Sequence, residues 1–319
     1  MMRACPHVQT VSSVSTESLG SANAGTAHLG NAIETPIGPA VSWVMSPDVT
    51  GGKRRIGVAF PEQTQVVAFD AEGSATDPLL APMVFQRDNE VDLVPPPAFD
   101  HVIPIPLDTM QAGTSIPITL GSPSLSVPAL AGIGQALAAV VDPGPELRFY
   151  GAALGDPLLR TGLGNDTAAH ALALTPTCNG IVASWGSKAA AFTPLGDRSA
   201  PTVDTGLNVS AGQLQSVAWD GGELVISGGG GVVELDSKGK VLSRTTTSMG
   251  AAVGTDDGLL TIEGGQAVVR DRKTGGIVKS YSAGSGAIHP GAVVVSNRYV
   301  YFIQASTSAL LWVRVGCSA

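Results

Sequence analysis

Three of the five histidines, His101, His170 and His289, stand just before or at the first strand-like run of a repeat. In a closed ring of repeats, those runs line the central channel. Neutral imidazole is a common metal ligand. Three rings brought to one channel mouth would suit a metal ion, and with a nearby carboxylate they would suit metal-assisted hydrolysis. His28 is a fourth candidate. No spacing inside any single repeat enforces such convergence, so the competing reading is three separate histidines at loop-to-strand junctions. Beyond that metal ion no cofactor is expected, and no residues are assigned catalytic roles. The chain contains no phosphate-cradling loop, nucleophile elbow or His-Glu-x-x-His helix. The glycines Gly228 to Gly231 read as a hairpin turn between two strands.

Cysteine gives a second signal. Cys5 precedes the strand-like run His7 to Val14, and Cys317 follows the last run of the chain. If those runs are neighbours, Cys5 and Cys317 could form a disulfide; free thiols at the two ends, or a lipid anchor on Cys5, are the alternatives. A bond closing so long a loop would contribute on the order of 4 to 5 kcal/mol on the loop-entropy model. It would also point to an oxidising compartment, periplasmic or secreted. The N-terminus itself shows no apolar stretch of the signal-peptide kind. Cys178 is left over and reads as a small buried apolar residue.

The elements that must position these residues are strands. The chain has 40 Gly and 22 Pro, only 14% charged residues and 44% hydrophobic ones. Val and Thr suit a pleated, half-buried surface, while Gly, Pro, Asn and Asp supply turns. The formal net charge of −8 argues against a phosphate-binding surface and hence against nucleic acid. The largest basic cluster, Lys53-Arg54-Arg55, sits in a Gly-rich stretch and reads as a solvated loop. The most apolar stretch, Pro128 to Val141, is too short to span a bilayer.

From residue 166 onward, short apolar runs alternate with turn residues. The clearest cycle is Leu214 to Asp220, Glu223 to Ser227, Gly231 to Asp236 and Val241 to Thr246. The next is Gly250 to Gly254, Leu259 to Glu263, Gln266 to Asp271 and Ile277 to Tyr281. Taking Phe69, Tyr150, Phe192, Leu235, Arg270 and Val313 as equivalent third-strand positions gives intervals of 81, 42, 43, 35 and 43 residues. The first interval is about two repeats of 40. It implies a cryptic, Pro-rich unit over 77–126, with Ile116 to Leu120 at its third strand. A four-stranded repeat of about 40 residues is the period of a β-propeller blade. The expected fold is therefore all-β: one propeller domain over 1–319 with seven four-stranded blades. Its last blade lacks a fourth strand, which His7 to Val14 supplies, so the ring closes by pairing the two ends of the chain.

The repeats resemble the YVTN and PQQ-like propellers, whose blades carry a strand ending in Asp, a Gly-containing turn and an apolar outer strand. The segments that carry the resemblance are Val67 to Gly73, Val233 to Leu242 and Val269 to Val278, with His289 to Tyr301 similar to the family's start of a blade. The family includes assembly scaffolds, lactone hydrolases and quinone-dependent dehydrogenases, so the resemblance implies a fold more than an activity. The Trp and acidic signatures of its cofactor-using members are not evident. The recurring Asp70, Asp236 and Asp271 read as residues that hold their own turns.

Two functions follow as expectations. The first is a non-enzymatic binding or scaffold propeller, exported and monomeric, that presents a loop face to a protein, a glycan or a small ligand. The second is the metal-assisted hydrolase at the channel mouth.

Overall fold

A computed structural model describes residues 7–14, 24–47, 54–71, 81–120 except 97, 129–133, 136–141, 146–163, 172–177, 180–207 except 194, 216–220, 223–228, 230–236, 238–255 and 257–263. It continues over 266–282, 288–295, 299–304 and 310–316. The strands form seven four-stranded antiparallel sheets, arranged as a β-propeller. Six sheets are blades built from consecutive strands. The first comprises Ala24–Thr35, Gly38–Pro47, Arg54–Phe60 and Gln65–Ala71. The second comprises Met83–Arg87, Glu90–Val94, His101–Pro106 and Ile116–Pro117. Blades three and four start at Ala129 and Leu172; blades five and six start at Ser216 and Ala252. The remaining sheet is composite: Ile288–Val295, Tyr299–Gln304 and Leu310–Gly316 continue into His7–Val14, which pairs with Leu310–Gly316 from His7↔Gly316 to Val14↔Leu310.

Each blade buries its faces against its neighbours. Ala138, Leu147 and Phe149 of blade three pack with Ile181, Trp185 and Phe192 of blade four. Val225 and Val232 of blade five pack with Val253, Leu260 and Val269 of blade six. Because blades stack like repeats, each core is shared by two sequence units. Small residues let the innermost strands approach. A Cβ at Gly132 would lie 2.1 Å from the Gln86 carbonyl oxygen of the preceding blade.

Turn chemistry fixes the hairpins. Asp236 Oδ1 accepts hydrogen bonds from the Lys238 and Lys240 amides. Asp271 Oδ1 does the same for Lys273 and Thr274. These bonds favour the ionised form and hold both carboxyls below their ordinary pKa. Gly231 has φ 126°, and a Cβ there would meet the Thr245 carbonyl oxygen at 2.1 Å, so position 231 requires glycine.

The first two blades depart from the expected phase. Phe69 lies on the fourth strand of blade one; the third is Arg54–Phe60. Arg54 is therefore buried at a strand start, not solvated in a loop. Likewise, Ile116–Pro117 is the fourth strand of blade two, and its third is His101–Pro106 despite two prolines. The physical reason is where the missing amides fall. The Asp100 and Pro104 carbonyls both face the outer side, accepting from Ile118 and Gly113. Pro104 and Pro106 share that side, where the outer strand pairs only with His101 and Val102. A proline on an unpaired edge costs no ladder hydrogen bond.

Candidate functional site

Within a blade, the turns between strands one and two and between strands three and four lie on one face of the ring, here termed the lower. The turns between strands two and three lie on the upper face, where the connections to the next blade also leave one blade and enter the next. The sequence-predicted histidines divide by radius. His289 is on the first, innermost strand of the composite sheet. His101 opens the third strand of blade two, so it does not share the innermost position expected of it. The misplacement follows from the phase error in the Pro-rich blade. The His101 side chain is 41% exposed, with Nδ1 2.7 Å from Asp100 Oδ1. His170, Cys5, Cys178 and Cys317 lie outside the described residues. His28 is half-buried on the innermost strand of blade one. Among the described residues, no three His, Cys, Asp or Glu side chains are grouped to hold a metal ion.

The polar groups that the fold does bring together were not singled out by sequence reasoning. On the inner ring, Asn31 bridges blades one and two. Its Nδ2 donates to the Val84 carbonyl at 2.7 Å, and its Oδ1 accepts from the Val84 amide at 2.8 Å, imitating a strand pairing. In blade two, Arg87 grips the fully buried Asp92, with Nε donating to Oδ2 at 2.6 Å, and reaches Glu90 at 2.5 Å. Burial pushes the Asp92 carboxyl up to about 6, opposed by the hydrogen bond and charge of Arg87. Between blades five and six, Arg272 pairs with buried Glu234 and donates to the Thr255 carbonyl at 2.5 Å. Glu234 also accepts from the Ser243 hydroxyl. Arg244 of blade five donates to the Asp204 carbonyl of blade four. These clusters fasten strands and blades, and each carboxylate in them already has its partner.

The upper face differs from the lower in the length of its connections. Six residues suffice to carry the chain from the outer strand of blade five to the inner strand of blade six, from Thr245 to Ala252. The equivalent links of the first four blades, starting with Ala71 to Met83 and Pro117 to Ala129, are longer. No helix among the described residues is long and apolar enough to cross a membrane. No family model matches the chain, and no curated protein matches it.

Proposed function

We propose that the chain is a non-enzymatic binding or scaffold propeller whose upper face holds a protein, a glycan or a small ligand. One observation carries this reading: four successive interblade connections are longer than the crossing requires, as the six-residue link after Thr245 demonstrates. Surplus loop length on a rigid scaffold is the usual place for recognition. The repeat type proposed is that of the YVTN and PQQ-like propellers, supported by the Asp-held, Gly-containing turns at Asp236 and Asp271.

The test has two parts. Elemental analysis of the purified chain is expected to find no stoichiometric metal. A thermal-shift screen of glycans, peptides and small metabolites is expected to yield a stabilising ligand whose effect disappears when residues 164–171 are replaced by a Gly/Ser linker of equal length, leaving the buried Leu163 in place. Stoichiometric zinc together with hydrolysis of an ester or lactone would overturn the reading in favour of the metal-assisted hydrolase.

The proposed compartment is periplasmic or extracellular, and it goes with the Cys5–Cys317 disulfide. The strand pairing ends at His7↔Gly316, so in sequence Cys5 comes just before and Cys317 just after the last paired residues. Non-reducing peptide mapping of the chain from its native source is expected to recover Cys5 linked to Cys317. Recovery of both as free thiols would remove the case for export.

A further inference from the structure

The lower face is divided by charge. Among the described residues, the charged residues it exposes in blades five and six are cations, Lys238, Lys240, Lys273 and Lys279, the last of them paired with the half-buried Asp257 at 2.9 Å. The described carboxylates of these blades are half-buried or buried. Asp236 and Asp271 stay ionised but are turned onto their own turn amides, and Glu234 and Glu263 are paired with Arg272 and Arg270. Blades two to four show the opposite balance on the same face, with Asp88, Asp108, Asp156 and Asp197 exposed against Arg160 and Arg198. Arg198 is folded over the Phe192 ring at 5.7 Å.

The exposed large hydrophobic side chains follow the same division. Leu158 and Leu195 are 78% and 79% exposed, with Leu159 between them against the Gly196 backbone. They belong to the strand three to four turns of blades three and four, on the acidic side. Leu242, Ile277 and Val278 stand at the start of the outer strands of blades five and six, on the basic side. In both of those strands the register shifts by one residue, at Leu242 and at Val278, so that a bulge turns an aliphatic residue outward at the same point of adjacent blades. Among the described residues, every exposed large hydrophobic thus lies on this one face, in one of two groups. Scattered single exposures would need no explanation, but grouped ones mark interfaces.

The occupant is fixed by charge. The basic group requires an acidic, aliphatic partner surface and the acidic group a basic, aliphatic one, and each is what the other offers. We propose that the lower face closes against a second copy of this chain. A two-fold axis lying in the face along the seam of blades four and five would place blades three and four of each copy on blades five and six of the other. Such a contact is isologous and closed, and the two salt-bridging zones are used twice. It departs from the monomer expected from the sequence. It leaves the upper face open, so it stands or falls separately from the binding reading.

Sedimentation equilibrium of the full chain tests it. The wild type is expected to sediment as a dimer at low salt, with a dissociation constant that rises about ten-fold as salt shortens the range of the charge contacts. The triple variant Lys238→Glu, Lys240→Glu, Lys273→Glu, and the triple variant Asp108→Lys, Asp156→Lys, Asp197→Lys, should each be monomeric. Mixed in equal amounts, they should form a heterodimer, since one then presents mainly acidic groups and the other mainly basic ones. Leu195→Glu and Ile277→Glu should each weaken the dimer at least ten-fold without lowering the melting temperature, because both sites are exposed. A wild type that stays monomeric at low salt would overturn the proposal and assign the face to another protein. A dimer that persists in either triple variant alone would also overturn it.

Discussion

Removal of residues 1–14 is expected to lower the melting temperature by roughly 10 °C. The strand His7–Val14 is the fourth strand of the composite sheet, and it is paired with Leu310–Gly316 at both ends of its length. Six register pairs join the two strands. At about 1 kcal/mol net for each backbone hydrogen bond, their loss costs on the order of 5 kcal/mol, and for a domain of this size each kcal/mol is worth about 2 °C. The deletion also leaves Leu310–Gly316 as an open edge, so the truncated protein should aggregate more readily on heating. Thermal denaturation followed by circular dichroism, with light scattering alongside, measures both effects. A truncated chain that melts where the intact one does would show that the ring is held without terminal pairing.

How much of this was legible in the sequence depended on whether local rules and tertiary context agreed. Blades five and six could be read strand by strand. Their hairpins are short, their turns carry Asp and Gly at positions whose backbone demands them, and their inner runs are rich in Val, Leu and Ile. The terminal closure was legible for a related reason: three strands at the C-terminal end left one vacancy, and one unclaimed run stood at the other end. The phase of blade two is obscured in the sequence because prolines count against a strand only where its ladder is paired on both sides. Pro104 and Pro106 survive on the side where pairing stops after Val102. Arg54 was misread because a charge beside glycines is usually solvated, and here a strand begins there.

The site residues fared less well, for a physical reason. Placing His101 requires the phase of blade two, one of the two blades whose phase is obscured in the sequence. The clusters that do form were hidden because their members look ordinary in sequence. Arg87, Glu90 and Asp92 flank a two-residue turn and read as a solvated hairpin tip; only the fold shows that Asp92 points into the blade. The aliphatic groups of the lower face were hidden in the converse way. Ile277 and Val278 read as core residues of a strand, and nothing local reveals that this strand is outermost.

The Arg87–Asp92 pair yields the second large effect. Replacing Arg87 with methionine removes the partner of a carboxylate that has no solvent contact, and breaking such a buried pair from one side typically costs about 3 to 5 kcal/mol. The pH dependence identifies the cause. In the folded wild type the Asp92 carboxyl titrates at about 6, raised by burial from the ordinary carboxylate value near 3.8. Because the folded value lies above the unfolded one, the folded state binds the extra proton between them. The contribution of Asp92 to stability is therefore complete below about pH 4 and is lost as the pH rises through about 6. Two pK units correspond to about 3 kcal/mol. In Arg87→Met the opposing cation is gone, so the same carboxyl should titrate higher and the loss should extend to more alkaline pH. Asp92→Asn, which cannot ionise, should show no such change between pH 4 and 6. The double variant Arg87→Met, Asp92→Asn should recover most of the stability lost in Arg87→Met alone, since no unpaired charge remains. Urea denaturation at intervals from pH 4 to 8 measures all four proteins. If Arg87→Met and the double variant prove equally unstable at pH 7, the cost lies in the lost packing of the arginine stem and its contact with the Ala152 carbonyl, and not in the stranded charge.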